Sequence, residues 1–366
     1  MKAETRYLVL VSDAAATCGV EEFARLIAER LGQRGKRYVL DSNLRDFGKV
    51  LADVDGIILN FPVVAWKKRL IAPLAAALVA RAKGRDVIIV LHEWASLDWK
   101  RRVVLTPVLL LANAILFSAP EIAAEFSGSP ISRLCTRNRD IVPVPPNLVR
   151  PAIVTATAHS EILRQQRSAG RMIIGQFGSI YPKKQSTAVL DVAARLLADG
   201  HDVGVVFAGS FIKGQDDVEG DFYKQVDRHG LGERVTVTGY IPGNAELFAI
   251  FDEIDVFCYL FADGLTSRRG SVLAASLSGK PVVVNAPRHN QALAHHCLFK
   301  ALIANGTIRL VSTDADIAAM SKAVLDGSRS KPKPIDAGTE TEALWNGIVR
   351  RLEHAARKPS NAHPDS

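Results

Sequence analysis

Apolar runs of strand length alternate with helical patterns along nearly the whole chain, and this alternation most constrains the fold. Runs such as Tyr7–Val11, Asp86–Leu91, Met172–Phe177 and Val203–Ala208 are each followed by a segment whose apolar residues have helical spacing. Strands that alternate with helices pair in parallel, with helices on both faces of the sheet. The sequence therefore predicts an α/β protein built on doubly wound parallel sheets.

The alternating pattern occurs twice, with an interruption between Pro143 and Gly170. Four prolines lie close together there (Pro143, Pro145, Pro146 and Pro151), and a polar stretch follows. This composition is typical of a connector. We predict an N-terminal domain over residues 1–165, a C-terminal domain over 171–335, a last helix over about 339–356 and a disordered tail over 357–366. Two such halves place a ligand-binding cleft between their carboxyl sheet edges.

Composition excludes several classes of protein. The chain has 366 residues, and its four cysteines are scattered without a CxxC pair, which argues against a disulfide framework or a zinc site. Neither a signal peptide nor an apolar run of the ~18 to 20 residues that span a membrane is visible. We expect a reducing, cytoplasmic location.

The net charge of +8 favours an anionic partner: a nucleotide, a phospholipid surface or nucleic acid. No known nucleic-acid-binding module is visible, so nucleic acid is the least favoured. Basic clusters at 67–69 and 100–102 stand beside tryptophans and apolar helical stretches, a pattern typical of contact with an anionic membrane surface. The alternative is an ordinary core helix with a charged start.

A polar loop late in the chain follows one predicted strand and begins a short helix. Arginines and hydroxyls at the carboxyl end of a strand are suited to phosphate, because guanidinium groups and free backbone N–H groups both donate to it. A solvated surface loop is the alternative. The predicted donor-binding and catalytic residues of this loop are Asp263, Gly264, Thr266, Ser267, Arg268, Arg269, Gly270 and Ser271.

A second loop, after the predicted strand Met172–Phe177, has a glycine followed by two lysines. Gly178 and Ser179 would allow a ligand to approach the backbone, and Lys184 could neutralise a diphosphate. The alternative is a pair of solvated lysines at a helix start. The order GxxxxGK[ST] is absent, so the loop does not predict nucleoside-triphosphate hydrolysis by a P-loop.

Three further positions are weaker candidates for the donor site. Gly209 ends one predicted strand and Tyr240 follows another, where each could contact a nucleotide base, although turn chemistry explains both equally well. Gly19 begins the first predicted helix and would let the backbone approach a ligand. A glycine in that position is more often part of a turn.

His92, Glu93 and Trp94 follow a predicted strand of the N-terminal half. His92 could bind a sugar hydroxyl, and Glu93 could set the tautomer of its ring. The alternative is a histidine that caps local backbone. No metal site is predicted, since the adjacent His295 and His296 would point to different faces of a helix.

The ordered motifs resemble the retaining glycosyltransferases of family four, which have the two-domain GT-B fold. The resemblance rests on Phe177–Lys184, on Phe207-Ala208-Gly209-Ser210, on Thr238-Gly239-Tyr240-Ile241, and on Glu246-Leu247 leading to Asp255-Val256. The Gly19 loop, His92 and the proline-rich segment from Val142 to Asn147 also match the family's order. The resemblance implies two Rossmann-like domains that face each other across a cleft, with the last helix packed back on the first domain.

The chain departs from the family pattern at two positions. Ser179 stands where the family usually has arginine, and Ala274 stands where it has the second of two glutamates. The loop from Asp263 is similar instead to a branch that reads Asp-Gly-x-Ser-x-Arg-Arg-Gly, with Thr266 in the place of its serine. The arginine pair of this loop would then take over diphosphate binding.

The resemblance implies a nucleotide-diphosphate sugar as donor, retention at the anomeric carbon, no divalent metal and no cofactor. His92, Lys184, Arg268 and Arg269 would be catalytic, and Glu93 and Trp94 would contact a glycan or lipid-linked acceptor. Such an enzyme would act in cell-surface polysaccharide synthesis, peripherally at the inner face of the membrane. The alternatives are an inactive nucleotide- or glycan-binding relative and a nucleotide-sugar epimerase that uses Glu93 and Asp263 as acid and base.

Overall fold

The computed structural model describes residues 5–12, 19–40, 44, 46–63, 66, 71–146, 148, 150–212, 217–289, 291–333 and 335–357. The basic cluster at 67–69 and residues 358–366 of the predicted tail lie outside these described residues. The chain divides into two compact units, one comprising Met1–Pro145 with Glu342–Ser366 and the other Pro146–Thr341.

The first unit is built on a six-stranded parallel sheet with the order β2-β1-β3-β4-β5-β6. Its central strands form because their apolar runs are buried on both faces of the sheet, as in β3 and β4, whereas the two edge strands are mostly polar and only partly buried. The strands are β1 (Tyr7–Val11), β2 (Gly35–Val39), β3 (Gly56–Phe61), β4 (Asp86–Leu91), β5 (Ala114–Phe117) and β6 (Arg139–Ile141). The helices are α1 (Gly19–Leu31), α2 (Phe47–Val50), α3 (Ile71–Ala82), α4 (Trp99–Leu110) and α5 (Pro120–Ser127).

The second unit repeats the design with the strand order β12-β11-β10-β7-β8-β9. This order makes β8 and β10 the neighbours of β7, so the loops after these three strands meet at one edge. The strands are β7 (Met172–Phe177), β8 (Val203–Ala208), β9 (Val235–Val237), β10 (Val256–Tyr259), β11 (Val282–Asn285) and β12 (Ile308–Val311). The helices are α6 (Ala158–Ser168), α7 (Ser186–Ala198), α8 (Val218–Arg228), α9 (Asn244–Asp252), α10 (Gly270–Ser276), α11 (Cys297–Ala304) and α12 (Ile317–Ser328).

The last helix, α13 (Ala337–Arg357), completes the core of the first unit. Trp345, Ile348 and Leu352 recur at helical spacing and are buried with residues of α1 and of the sheet. The Trp345 ring stacks on Phe23 of α1, with 6.0 Å between the ring centroids.

The segment between the two units differs from the predicted connector. Helix α6 lies inside the stretch predicted to be irregular, and the predicted domain break at residue 165 falls within this helix. Thr157 and Ser160 form a capping box at its start, and Leu163 is buried in the core of the second unit. The helix predicted over 289–305 is also shorter than expected, because residues 291–295 form turns and α11 begins only at Cys297.

Candidate functional site

The turn after β7 is held against the turn after β8. Phe177 pairs with Ala208 in the sheet, and a bridge between Ile180 and Phe211 continues the pairing. Gly178 has a φ of +101°, and a Cβ at Gly209 would lie 2.4 Å from the Gly178 carbonyl oxygen. A larger residue at either position would therefore strain the backbone or force the two turns apart.

Lys184 lies in the short 3₁₀ turn that follows and is only 2% exposed. Its ammonium group donates to the carbonyl oxygen of Phe177, and its Nζ lies 5.6 Å from the centroid of the Tyr259 ring. A Cβ at Gly178 would come within 2.9 Å of this Nζ. The glycine therefore keeps the lysine next to open space above the turn.

Burial and the nearby Arg269 guanidinium lower the pKa of Lys184 from 10.5 to about 7. Burial is the larger cause, since an ammonium group loses hydration when it leaves water. No carboxylate forms an ion pair with Lys184 or Arg269 among the described residues. The two cations therefore face each other without a protein anion between them.

Arg269 follows β10 and is held by aromatic groups. Its guanidinium carbon lies 4.1 Å from the centroid of the Phe261 ring, and its Nη1 donates to the Tyr181 hydroxyl at 3.1 Å. Its Nε is buried and has no hydrogen-bond partner among the described residues. The same holds for the Oγ of Ser267, a fully buried residue. Such orphan donors are expected where a ligand supplies the acceptor.

The remaining predicted residues of this loop are not all part of the cluster. The two adjacent arginines differ, because Arg269 is half-buried and lowers the pKa of Lys184, whereas Arg268 is exposed. The start of α10, whose free backbone N–H groups were predicted to bind phosphate, also has only a weak helix dipole, since α10 has only seven residues. Asp263 is exposed, Gly264 is buried, Thr266 is half-buried, and Gly270 and Ser271 begin α10 half-buried.

A cavity of about 230 Å³ adjoins the β7 turn. Gly178 both lines this cavity and borders Lys184, so Lys184 lies next to the cavity wall. Tyr240 stands at its rim and is 75% exposed. Among its lining residues are the predicted Gly178, Ser179, Gly209 and Tyr240, together with the apolar Leu148, Ile241 and Leu247.

His92 in the first unit is buried directly after β4. Its Nε2 lies 3.1 Å from Oδ1 of Asn60, and the Phe23 ring meets it edge-on at 5.3 Å between centroids. The carboxylate of Glu93 instead accepts a hydrogen bond from Ser96, at 2.9 Å. Nε2 of His92 therefore contacts Asn60, while the Glu93 carboxylate is bonded to Ser96.

The two other predicted residues of the first unit, Trp94 and Gly19, lie in different environments. Trp94 is 4% exposed, and its ring packs edge-on against Phe126 in the core, which leaves little surface for an acceptor. Gly19 is exposed at the start of α1, next to residues that lie outside the described part of the chain.

Comparison with known families bears directly on the second unit. Residues 171–326 match the family model described as glycosyl transferases group 1. This segment is similar to a group 1 glycosyltransferase domain. It contains every residue of the cation cluster and of the cavity beside it except Leu148. No curated protein sequence matches the chain significantly.

Solved structures of GT-B glycosyltransferases share the fold. Anabaena HepE, solved with UDP, is 16% identical, with a TM-score of 0.56 over 94% of this chain and 100% of HepE. HepE has also been solved with UDP-glucose. Sucrose-phosphate synthase from Thermosynechococcus elongatus is 16% identical, with a TM-score of 0.61 over 96% of this chain and 98% of its own. At these identities the likeness establishes the GT-B type of fold.

Sequence reasoning missed three residues of these sites. Tyr259 and Phe261 lie in an apolar run and read as ordinary core. Asn60 had a usable signal, because it is the single amide in the otherwise apolar strand Gly56–Phe61. A lone polar side chain in a buried strand near its carboxyl end indicates a specific partner.

Proposed function

We propose that this chain is a retaining, metal-independent glycosyltransferase that uses a nucleotide-diphosphate sugar. The observation that carries the proposal is the pair formed by the buried Lys184 and the half-buried Arg269, which has no carboxylate partner among the described residues. Lys184 borders Gly178, a residue of the wall of the 230 Å³ cavity. Two neighbouring cations match the two charges of a diphosphate, and the cavity beside them takes the nucleoside. The complexes of HepE with UDP and UDP-glucose support this choice of donor.

The cation pair acts on the leaving group. As the bond between the anomeric carbon and the diphosphate oxygen breaks, negative charge develops on the nucleotide diphosphate. Lys184 and Arg269 donate to this charge, and the orphan Ser267 hydroxyl adds a third donor. Among the described residues, no group of three or more His, Cys, Asp or Glu side chains could hold a metal ion. We propose that side-chain cations fill the role of a divalent ion and that no cofactor takes part.

The acceptor is proposed to be a glycan or a lipid-linked sugar, bound through His92 and Glu93, for cell-surface polysaccharide synthesis in the cytoplasm. Retention follows from attack on the same face that the diphosphate leaves, a route that needs no strong protein nucleophile. The position of the family's second glutamate holds Ala274, which is fully buried in α10. Donor binding therefore relies on the cation pair more than on a carboxylate clamp for the ribose.

A surface of the first unit supports association with the inner face of an anionic membrane. We define the α3–α4 apolar face as Ile71, Leu78, Trp99, Val103 and Leu110, all exposed large hydrophobic residues on two helices that pack together. Neither helix contains an acidic residue, and Lys100, Arg101 and Arg102 lie in the first turns of α4. An apolar face with a basic rim is suited to anionic lipid headgroups. No helix of the described residues is both long enough and apolar enough to cross a bilayer.

The function is tested by incubating the protein with UDP-, GDP- and ADP-sugars, with and without EDTA, and measuring nucleoside diphosphate release. We expect slow release from one donor, insensitive to EDTA, with the anomeric configuration retained in the transferred sugar. The variant Lys184→Met should lose release while it stays folded. Binding without release would favour the inactive relative, and interconversion of two sugars on the nucleotide would favour an epimerase.

A further inference from the structure

Two aromatic rings lie beneath the two cations of the candidate site. Tyr259 ends β10, Phe261 follows two residues later, and their rings stack with 5.7 Å between centroids and 13° between planes. Lys184 lies over the first ring at 5.6 Å, and Arg269 lies over the second at 4.1 Å. One stacked pair therefore carries one cation on each ring.

Buried cations in proteins are usually paired with carboxylates, since an unpaired buried charge is costly. Neither cation here has that partner among the described residues, although Lys184 is buried and Arg269 is half-buried with a buried Nε. The face of an aromatic ring attracts a cation through its quadrupole and bears no net charge. A carboxylate in the same place would neutralise the cation and repel a phosphate.

The hydroxyl of Tyr259 makes a second connection. It accepts a hydrogen bond from the Phe177 backbone N–H at 3.0 Å and lies 3.2 Å from the Ser271 carbonyl oxygen, to which it donates. Burial raises the pKa of this hydroxyl, so it stays protonated and keeps both roles. The turn that carries Gly178 is thereby tied to the start of α10.

We propose that Tyr259 and Phe261 are positioning residues that hold Lys184 and Arg269 in place without neutralising them, so that a nucleoside diphosphate supplies the missing anion. The inference rests on the proposed donor site. It adds a reason why that site would bind a diphosphate tightly. The rings select for the diphosphate rather than for the nucleoside, because they act only through the two cations.

The test compares Phe261→Leu with Phe257→Leu, using UDP and uridine as probes in titration calorimetry. Phe257 is a matched control, since it is fully buried in the same core cluster and contacts no cation. We expect Phe261→Leu to weaken UDP binding about tenfold, as for a desolvated cation–π contact, with uridine binding unchanged. Phe257→Leu should cost similar thermal stability and leave UDP affinity within about twofold of the wild type.

Tyr259 supplies the second comparison. Tyr259→Leu should weaken UDP binding about tenfold, and Tyr259→Phe, which keeps the ring, should recover most of that loss. Equal losses for Phe261→Leu and Phe257→Leu, or no gain from Phe over Leu at residue 259, would overturn the inference while the donor site stands. A wild-type protein that binds none of UDP, GDP and ADP would instead overturn the proposed function.

Discussion

The Nε2 of His92 lies 3.1 Å from Oδ1 of Asn60, and both side chains are buried at the carboxyl edge of the first sheet. An amide oxygen only accepts, so this contact favours the tautomer with the proton on Nε2. We predict that Asn60→Leu lowers kcat about tenfold to a hundredfold, the range seen when partners that orient a histidine are removed.

The Asn60 prediction is checked by kinetics together with ¹⁵N shifts of the imidazole nitrogens, which report the tautomer. Ser118→Ala is the control, because Ser118 is another buried residue at this edge and its Oγ has no hydrogen-bond partner. It should leave both the kinetics and the His92 shifts unchanged. An Asn60→Leu variant with unaltered shifts and rate would contradict the role of Asn60.

The lowered pKa of Lys184 predicts a pH-dependent stability. The unfolded lysine titrates near 10.5 and the folded one near 7, so the unfolded state binds more protons between these values. The penalty for burying the ammonium group is full below pH 7 and disappears as pH rises towards 10.5. We expect urea unfolding to show that the wild type gains stability relative to Lys184→Met across this range, by on the order of a few kcal/mol. The prediction would be contradicted if the stabilities of the wild type and Lys184→Met changed with pH by the same amount.

Donor binding is predicted to take up a proton at mildly alkaline pH. At pH 8 most Lys184 is neutral, because its pKa is about 7, and a diphosphate beside it would favour the charged form. Calorimetric titrations with UDP in buffers of different ionisation enthalpy should therefore give proton uptake at pH 8 and much less at pH 6. The variant Lys184→Met should show none at either pH. Equal uptake in this variant would assign the proton to another group.

The two adjacent arginines are predicted to differ in importance. Arg269 lies beside Lys184 and over the Phe261 ring, whereas Arg268 is exposed. We expect Arg269→Ala to lower kcat/KM at least a hundredfold, on the order of the loss of one donor to a developing oxyanion. Arg268→Ala should stay within about fivefold of the wild type. A larger loss for Arg268→Ala than for Arg269→Ala would indicate that the diphosphate binds on the Arg268 side of the loop.

Membrane contact through the α3–α4 apolar face can be followed by the fluorescence of Trp99. The four tryptophans all lie in the described part of the chain; Trp99 is 70% exposed, and Trp66, Trp94 and Trp345 are each below 5%. Vesicles that contain phosphatidylglycerol should shift the Trp99 emission to shorter wavelength and pull the protein down on sedimentation. Val103→Ser should weaken sedimentation severalfold, and Ile153→Ser, at an 80% exposed site of the second unit, should not. Equal binding to vesicles without anionic lipid would argue against the basic rim.

The buried central strands could be predicted well because they are strong burial signals. The bounds of β7 and β8 match the sequence prediction, since each is a mostly apolar run that is followed by a glycine. Helix α6 was missed because most of its residues are polar. Its position depends on ion pairs of Arg164 and Arg167 with the distant Glu253, which no local pattern reveals.

The candidate site was predictable where a residue type has few local explanations. A lysine two residues after Pro182, close to a glycine that ends a strand, indicated Lys184, and the structure buries this side chain. Its role in the site stays a prediction. Aromatic residues gave no such indication, because a ring that packs in a core and a ring that carries a cation have the same sequence signature. Trp94, predicted to contact an acceptor, packs in the core, and Tyr259, predicted only as part of a buried strand, lies under Lys184.

The contribution of α13 to the first unit has a consequence for biosynthesis. The core residues Trp345, Ile348 and Leu352 emerge from the ribosome after the whole of the second unit has been translated. The first unit must therefore keep an exposed apolar surface while the second unit is being translated. All strands of the second unit are synthesised before that surface is covered. A nascent chain stalled before residue 342 would expose Phe23 to chaperones, and release of the last helix would end that exposure.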